Sequence, residues 1–159
     1  MYPMKPYRAQ DPYDWPHLRD LIARAFAAMD GRIDPPSSAH HLTATDIAAQ
    51  AVAGEIWVIG APAVACVFLT PLPQALYLSK LAVDPAVQRM CYARRLIAVA
   101  ELRGHELGLP ALELWSRIEL VENHAIFRAL GFVQSGTHAH AGFDRPTTLI
   151  FTKRMAAVA

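Results

Sequence analysis

Among 159 residues there are only two cysteines, Cys66 and Cys91. That excludes a disulfide framework, and Cys66, inside an apolar run, reads as a buried small hydrophobe. Charge is sparse too: 18% of residues are charged and the net charge is +1. Those values exclude a disordered polyelectrolyte and argue against a nucleic-acid-coating surface. The longest apolar runs fall far short of a bilayer span, so no membrane partner is expected. The opening residues, MYPMKPYRAQDPYDW, contain no apolar signal core, and the expected location is the cytoplasm. There is no repeat, low-complexity tract or separating linker. One domain over residues 1–159 is therefore expected.

What is present is ample apolar material, 53% of the chain, in patterns that change period. Residues 4–8 carry a weak strand signal. Asp11 or Asp14 can cap a first helix with Pro16 in its first turn, and Trp15, Leu18, Leu21, Ile22 and Phe26 repeat at helical spacing. That helix should stop near Asp30-Gly31, where the loop DGRIDPPSSAHH begins. Thr43-x-x-Asp46 has the form of a capping box, so a short helix is expected up to Gly54. Strands are expected over 55–59, 63–70 and 76–83, and the last is apolar enough to be covered on both faces. A helix over 88–107 ends at Gly108 and Pro110. A strand over 111–116, a short helix over 121–130 and strands over 132–138 and 147–152 complete the chain. The expected class is α/β in the α+β sense: a mixed, mostly antiparallel twisted sheet of about seven strands with about four helices.

The segment ALYLSKLAVDPAVQRMCYARRLIAVAELRGHELG carries the most information. A strand runs through an Asp84-Pro85 turn into a helix start rich in basic and small residues. Backbone N–H groups and the helix dipole there favour phosphate. Within it, LAVDPAVQRMCYARRL resembles motif A of the GNAT acetyltransferase superfamily, written Q/R-x-x-G-x-G/A, with Gln88 at its first position and Ala93 at its last. Downstream, VENHAIFRALGF is similar to that family's EN-x-A-x-Y-x-x-LGF signature at Glu122, Asn123, Ala125, Leu130, Gly131 and Phe132. The two motifs, in this order and on these elements, are fairly specific.

The resemblance implies acetyl-coenzyme A as donor and an N-acetyltransferase acting on a primary amine of a small-molecule or amino-acid-like acceptor. It implies a cofactor site built from Leu81, Ala82 and Val83 on the strand, Gln88, Arg89, Met90, Cys91, Tyr92, Ala93 and Arg94 at the helix start, and Asn123 and Phe127 downstream. It also implies a homodimer. Two positions depart from the pattern. Cys91 stands where glycine lets phosphate approach the backbone. Phe127 stands where the family often has a tyrosine, and phenylalanine has no proton to give.

The general base stays open among Tyr77, Ser79, Glu119 (or Glu122, which can equally cap the short helix) and His124. Tyr77 and Ser79 share one strand face by period two. On the acceptor side, Arg32 suits a carboxylate, Asp34 (or Asp30) suits an amine, and His40 lies in the same loop. The pairs His40-His41 and His138-x-His140 admit zinc, but spacing supplies no third ligand, and no metal is expected. The departures keep open a different class of function, a non-catalytic acyl-coenzyme A binding module.

Overall fold

The computed structural model describes residues 4–88 and 91–156. The strands are β1 (Tyr7–Arg8), β2 (Glu55–Ile59), β3 (Ala65–Pro71), β4 (Leu76–Val83), β5 (Ala111–Arg117), β6 (Val133–His138) and β7 (Thr148–Arg154). The helices are α1 (Trp15–Phe26), α2 (Ala44–Ala53), α3 (Tyr92–Glu106) and α4 (Val121–Ala129). All seven strands form one sheet in the order β1-β2-β3-β4-β5-β7-β6. Every neighbouring pair is antiparallel except β4 and β5, which run parallel. The chain between those two is the α3 crossover, as a parallel pair requires. No described helix is long and apolar enough to cross a membrane.

Local chemistry explains the helix starts. Asp14 accepts a hydrogen bond from the His17 N–H, with proline in the first turn of α1. Thr43 and Asp46 form the reciprocal capping box of α2. The expected helix over 88–107 starts later. Pro85–Val87 makes a separate 3₁₀ turn, capped by the Asp84 carboxylate on the Ala86 N–H. Cys91 then adopts a left-handed conformation, φ 61°, that no helix can continue through, and α3 begins at Tyr92.

The sheet is apolar on both faces. Along β3, Cys66 and Phe68 pack with α1 and α2 through Leu18, Leu21, Ile22, Ile47 and Ala51. The alternate residues Ala65, Val67 and Leu69 pack with α3 through Leu96, Ile97 and Ala100. β4 departs from its expected cover on both faces. Leu76 and Leu78 are buried toward α3, but Tyr77 and Ser79 on the other face are half-buried. At Lys80, φ 49°, the strand carries a bulge: Phe68 pairs with Ser79, whereas Cys66 pairs with Ala82. The extra residue reverses the alternation, so Ala82 joins the α1–α2 core while Leu81 and Val83 pack toward α3.

One buried ion pair clasps α3 to the sheet. Arg103 donates from Nε to Glu55 Oε1 at 2.8 Å and from Nη2 to Oε2 at 2.6 Å, and Trp57 Nε1 also donates to Oε1. Burial alone would raise the Glu55 pKa, but these hydrogen bonds outweigh it and hold the carboxyl below its ordinary value. A lowered carboxyl pKa stabilises the fold fully above the unfolded-state value, and that stability is lost as pH falls through the lowered one. Glu55→Gln should therefore cost about 3 kcal/mol at neutral pH by leaving Arg103 without its counter-charge. In urea titrations the deficit should shrink below about pH 4.

Candidate active site

β4 and β5 hold together over only three pairs, Leu76 with Leu112, Tyr77 with Glu113 and Leu78 with Leu114. Past that point β5 continues beside β7 up to Arg117 opposite Thr148. β4 runs on through its bulge beside β3. The strands part, and backbone groups of residues 79–83 have no strand on their β5 side. A cleft of about 380 Å³ opens at the fork. Its walls come from Tyr77, Ser79, Lys80 and Leu81 of β4, and from Trp115, Ser116 and Arg117 of β5. Asn123 and Phe127 of α4 close one side, and His138 and His140 another.

The loop between α1 and α2 roofs the cleft with Ile33, Pro36, Ser37, Ser38 and His41. Four contacts tie it down. Arg32 donates to both oxygens of Glu122, at 2.6 and 3.0 Å. The Asp34 N–H donates to Glu119 Oε2 at 3.1 Å. Arg117 donates to the carbonyls of Pro35 and Pro36 at 2.6 and 3.1 Å. Lys80 Nζ donates to Ser38 Oγ at 3.2 Å. The Arg32 hydrogen bonds hold the Glu122 pKa down to about 2.

The structure brings together some sequence candidates and separates others. Tyr77, Ser79, Leu81, Asn123 and Phe127 all line the cleft. Burial, helped by Glu113, raises the Tyr77 pKa, so its phenol stays protonated. Phe127 packs edge-on against Phe132 and tilted against Phe151. Glu119 and Arg32 serve as loop anchors, Asp34 contributes its backbone N–H, and His40 pairs with Asp30 at 2.7 Å. None of those four is on the cleft wall. His124 is buried, with Nε2 2.9 Å from the Arg117 carbonyl and its ring beside Phe151. Ala82 is buried and Val83 packs toward α3. At the α3 start, Gln88, Cys91 and Arg94 are exposed, Ala93 is half-buried, and Tyr92 is buried with Arg95 over its ring. Arg89 and Met90 lie outside the described residues.

Sequence reasoning passed over Lys80, Trp115, Ser116 and Arg117. The only available signal was that Lys80 and Arg117 interrupt or end apolar strands. His138 and His140 drew notice as a zinc pair, but they line the cleft. Among the described residues, no group of three or more His, Cys, Asp or Glu side chains is placed to hold a metal ion.

A mixed seven-stranded sheet forked at its single parallel pair, with a helix start beside the fork, defines a GNAT-type acyltransferase fold. The Acetyltransferase (GNAT) family model matches residues 9–132, and the chain belongs to that family. No curated protein sequence matches it significantly. Solved structures do. An acetyltransferase from Streptococcus agalactiae superposes with a TM-score of 0.76 at 17% identity, over 98% of this chain and 100% of that one. The PaiA N-acetyltransferase of Thermoplasma acidophilum in complex with coenzyme A gives 0.80 at 12%, over 98% and 100%. The ribosomal-protein-S18-alanine N-acetyltransferase of Escherichia coli gives 0.75 at 15%, over 98% and 96%. At these identities the likeness is one of fold.

Cys91 bears on the helix start. A side chain in the left-handed region costs about 1 kcal/mol or more, which glycine avoids. Glycine's larger unfolded-state entropy offsets part of that gain. Cys91→Gly should therefore leave stability unchanged or raise it by up to about 1 kcal/mol, whereas β-branched Cys91→Val should lower it. Thermal melts of the two variants measure both changes.

Proposed function

We propose that this chain is an N-acetyltransferase that takes acetyl-coenzyme A as donor and acetylates a primary amine of a small-molecule or amino-acid-like acceptor. The observation that carries the reading is the fork between β4 and β5. It leaves strand backbone free to pair with an extended ligand and opens directly into a roofed cleft. The crystallised neighbour with coenzyme A, and one from Elizabethkingia anophelis with acetyl-CoA bound, support the donor. β6 and β7 lie past the matched residues but complete the same sheet, so residues 1–159 are read as one domain.

The residues fit such a ligand. The free β4 backbone at Leu81, Ala82 and Val83 suits the amides of a pantetheine arm. The first-turn N–H groups of Tyr92, Ala93 and Arg94 suit a pyrophosphate, with Arg94 adding charge. Asn123 and Phe127 border the same space. When bound, acetyl-coenzyme A supplies an acetyl group activated as a thioester.

The chain's own contribution is orientation, exclusion of water by the tied loop, and proton handling. His140 is the best-placed base. The Thr147 hydroxyl has one proton, directed at the His138 carbonyl at 3.3 Å. Its oxygen accepts from the His140 backbone N–H at 3.0 Å and also contacts His140 Nδ1. The assignment that satisfies all three contacts makes Nδ1–H a donor and leaves Nε2 with a free lone pair. Burial first, then Arg117 and His138, lowers the His140 pKa below 6.5. The imidazole is thus neutral at neutral pH and able to take the acceptor ammonium proton. Tyr77 and Ser79 offer hydroxyl donors on the facing wall.

The Phe127 ring and a cleft wall without a carboxylate favour the second reading, a binding module without turnover. Thiol release from acetyl-coenzyme A across an amine panel separates the two, because both predict cofactor binding. Amine-dependent release is expected; tight binding with no release for any amine would leave the binding module. kcat/KM should fall as pH drops through an inflection below 6.5. His140→Gln should remove that inflection and lower kcat about 100-fold. Cys91→Gly should bind coenzyme A at least as tightly in calorimetry, since it removes a side chain from the phosphate approach.

A further inference from the structure

The charges on the cleft wall are all of one sign. Lys80 of β4 and Arg117 of β5 face a space also bordered by His41, His138 and His140, and no Asp or Glu lines it. Lys80 is largely enclosed, yet its ammonium has three donors and one partner, Ser38 Oγ. Arg117 spends two of its five N–H donors on the neutral carbonyls of Pro35 and Pro36. Among the described residues neither cation has a carboxylate within 4.0 Å, although every other ion pair of the roof and its anchors is closed.

The nearby acids stand outside the wall. Glu122 is forked by Arg32, Asp34 lies 3.9 Å from Arg145, and Glu113 accepts from Trp115 Nε1. Glu119 accepts from the Asp34 N–H through Oε2, its Oε1 is buried without a partner, and the charges of Glu119 and Asp34 act on Arg117 from outside the wall. A partly desolvated cation without a counter-ion is costly unless a ligand completes it. Burial accordingly lowers the Lys80 pKa.

We propose that the cleft selects acceptors whose amine is accompanied by a carboxylate, with Lys80 and Arg117 receiving that anion. This rests on the reading of the cleft as an acetyl-acceptor site. The same field disfavours an ammonium and so favours the neutral amine, the form that attacks. A phosphate of coenzyme A is the other anion that would suit these cations. Against it, none of Tyr92, Ala93 and Arg94, the described residues of the α3 start, lies on this wall.

The test uses acceptor pairs that differ only by the carboxylate: phenylalanine with 2-phenylethylamine, methionine with 3-methylthiopropylamine, lysine with cadaverine. The carboxylate-bearing member should show a kcat/KM at least about tenfold higher in two or more pairs. Lys80→Gln should bring that ratio to near one, Lys80→Arg should largely keep it, and coenzyme A affinity should be unchanged in both. Equal rates within every pair overturn the proposal. So does a Lys80→Gln protein that loses coenzyme A affinity while keeping the ratio, because the cation then serves the cofactor.

If no pair is turned over, acetyl transfer itself fails, and the anion site is read separately by calorimetry. N-acetylphenylalanine should then bind about tenfold more tightly than its carboxamide, with the difference lost in Lys80→Gln. Equal binding of the acid and the amide, or no binding of either, overturns the anion site as well.

Discussion

The parting of β4 from β5 is the constraint on which the rest of this molecule depends. Parallel strands need a crossover, and α3 provides it, so the helix start follows the end of β4 that β5 leaves unpaired. Three pairs hold the two strands, and then the bulge at Lys80 reverses the phase of β4. With it, Tyr77 and Ser79 reach the cleft while Leu81 and Val83 still pack toward α3.

The second element is the roof. A proline-rich loop has few backbone donors of its own, so side chains from three other elements hold it. Arg117 takes the carbonyls of the proline pair, Glu119 and Glu122 take the Asp34 N–H and Arg32, and Lys80 reaches Ser38. Residues that looked like acceptor ligands therefore position the roof, and the cations that hold it also charge the space beneath. One arrangement orders the loop and sets the electrostatics of the cleft.

Much of the fold was legible in the residues. The capping box at Thr43 and Asp46, the strand from Glu55 to Ile59 and the strand from Leu76 to Val83 all lie where pattern and punctuation put them. Local rules decide such features, since a cap needs a hydroxyl and a carboxyl three apart and a strand needs a run of β-formers. The start of α3 was misjudged because a left-handed residue at Cys91 has no signature in side-chain type. Non-glycine residues rarely adopt it. Tyr77, Ser79, Asn123 and Phe127, named by motif and period, line the cleft. Glu119 and His124 are near the cleft in sequence but turn to other partners, a choice that spacing alone does not express.

By itself the sequence determined the order of elements and the family, because both follow from short-range patterns. Only the tertiary structure decided which charges share a space. Lys80, Arg117, His138 and His140 are separated by up to sixty positions, and a single bulge sets which way β4 turns. Electrostatics depends on distance through space and on burial, and neither is written along the chain.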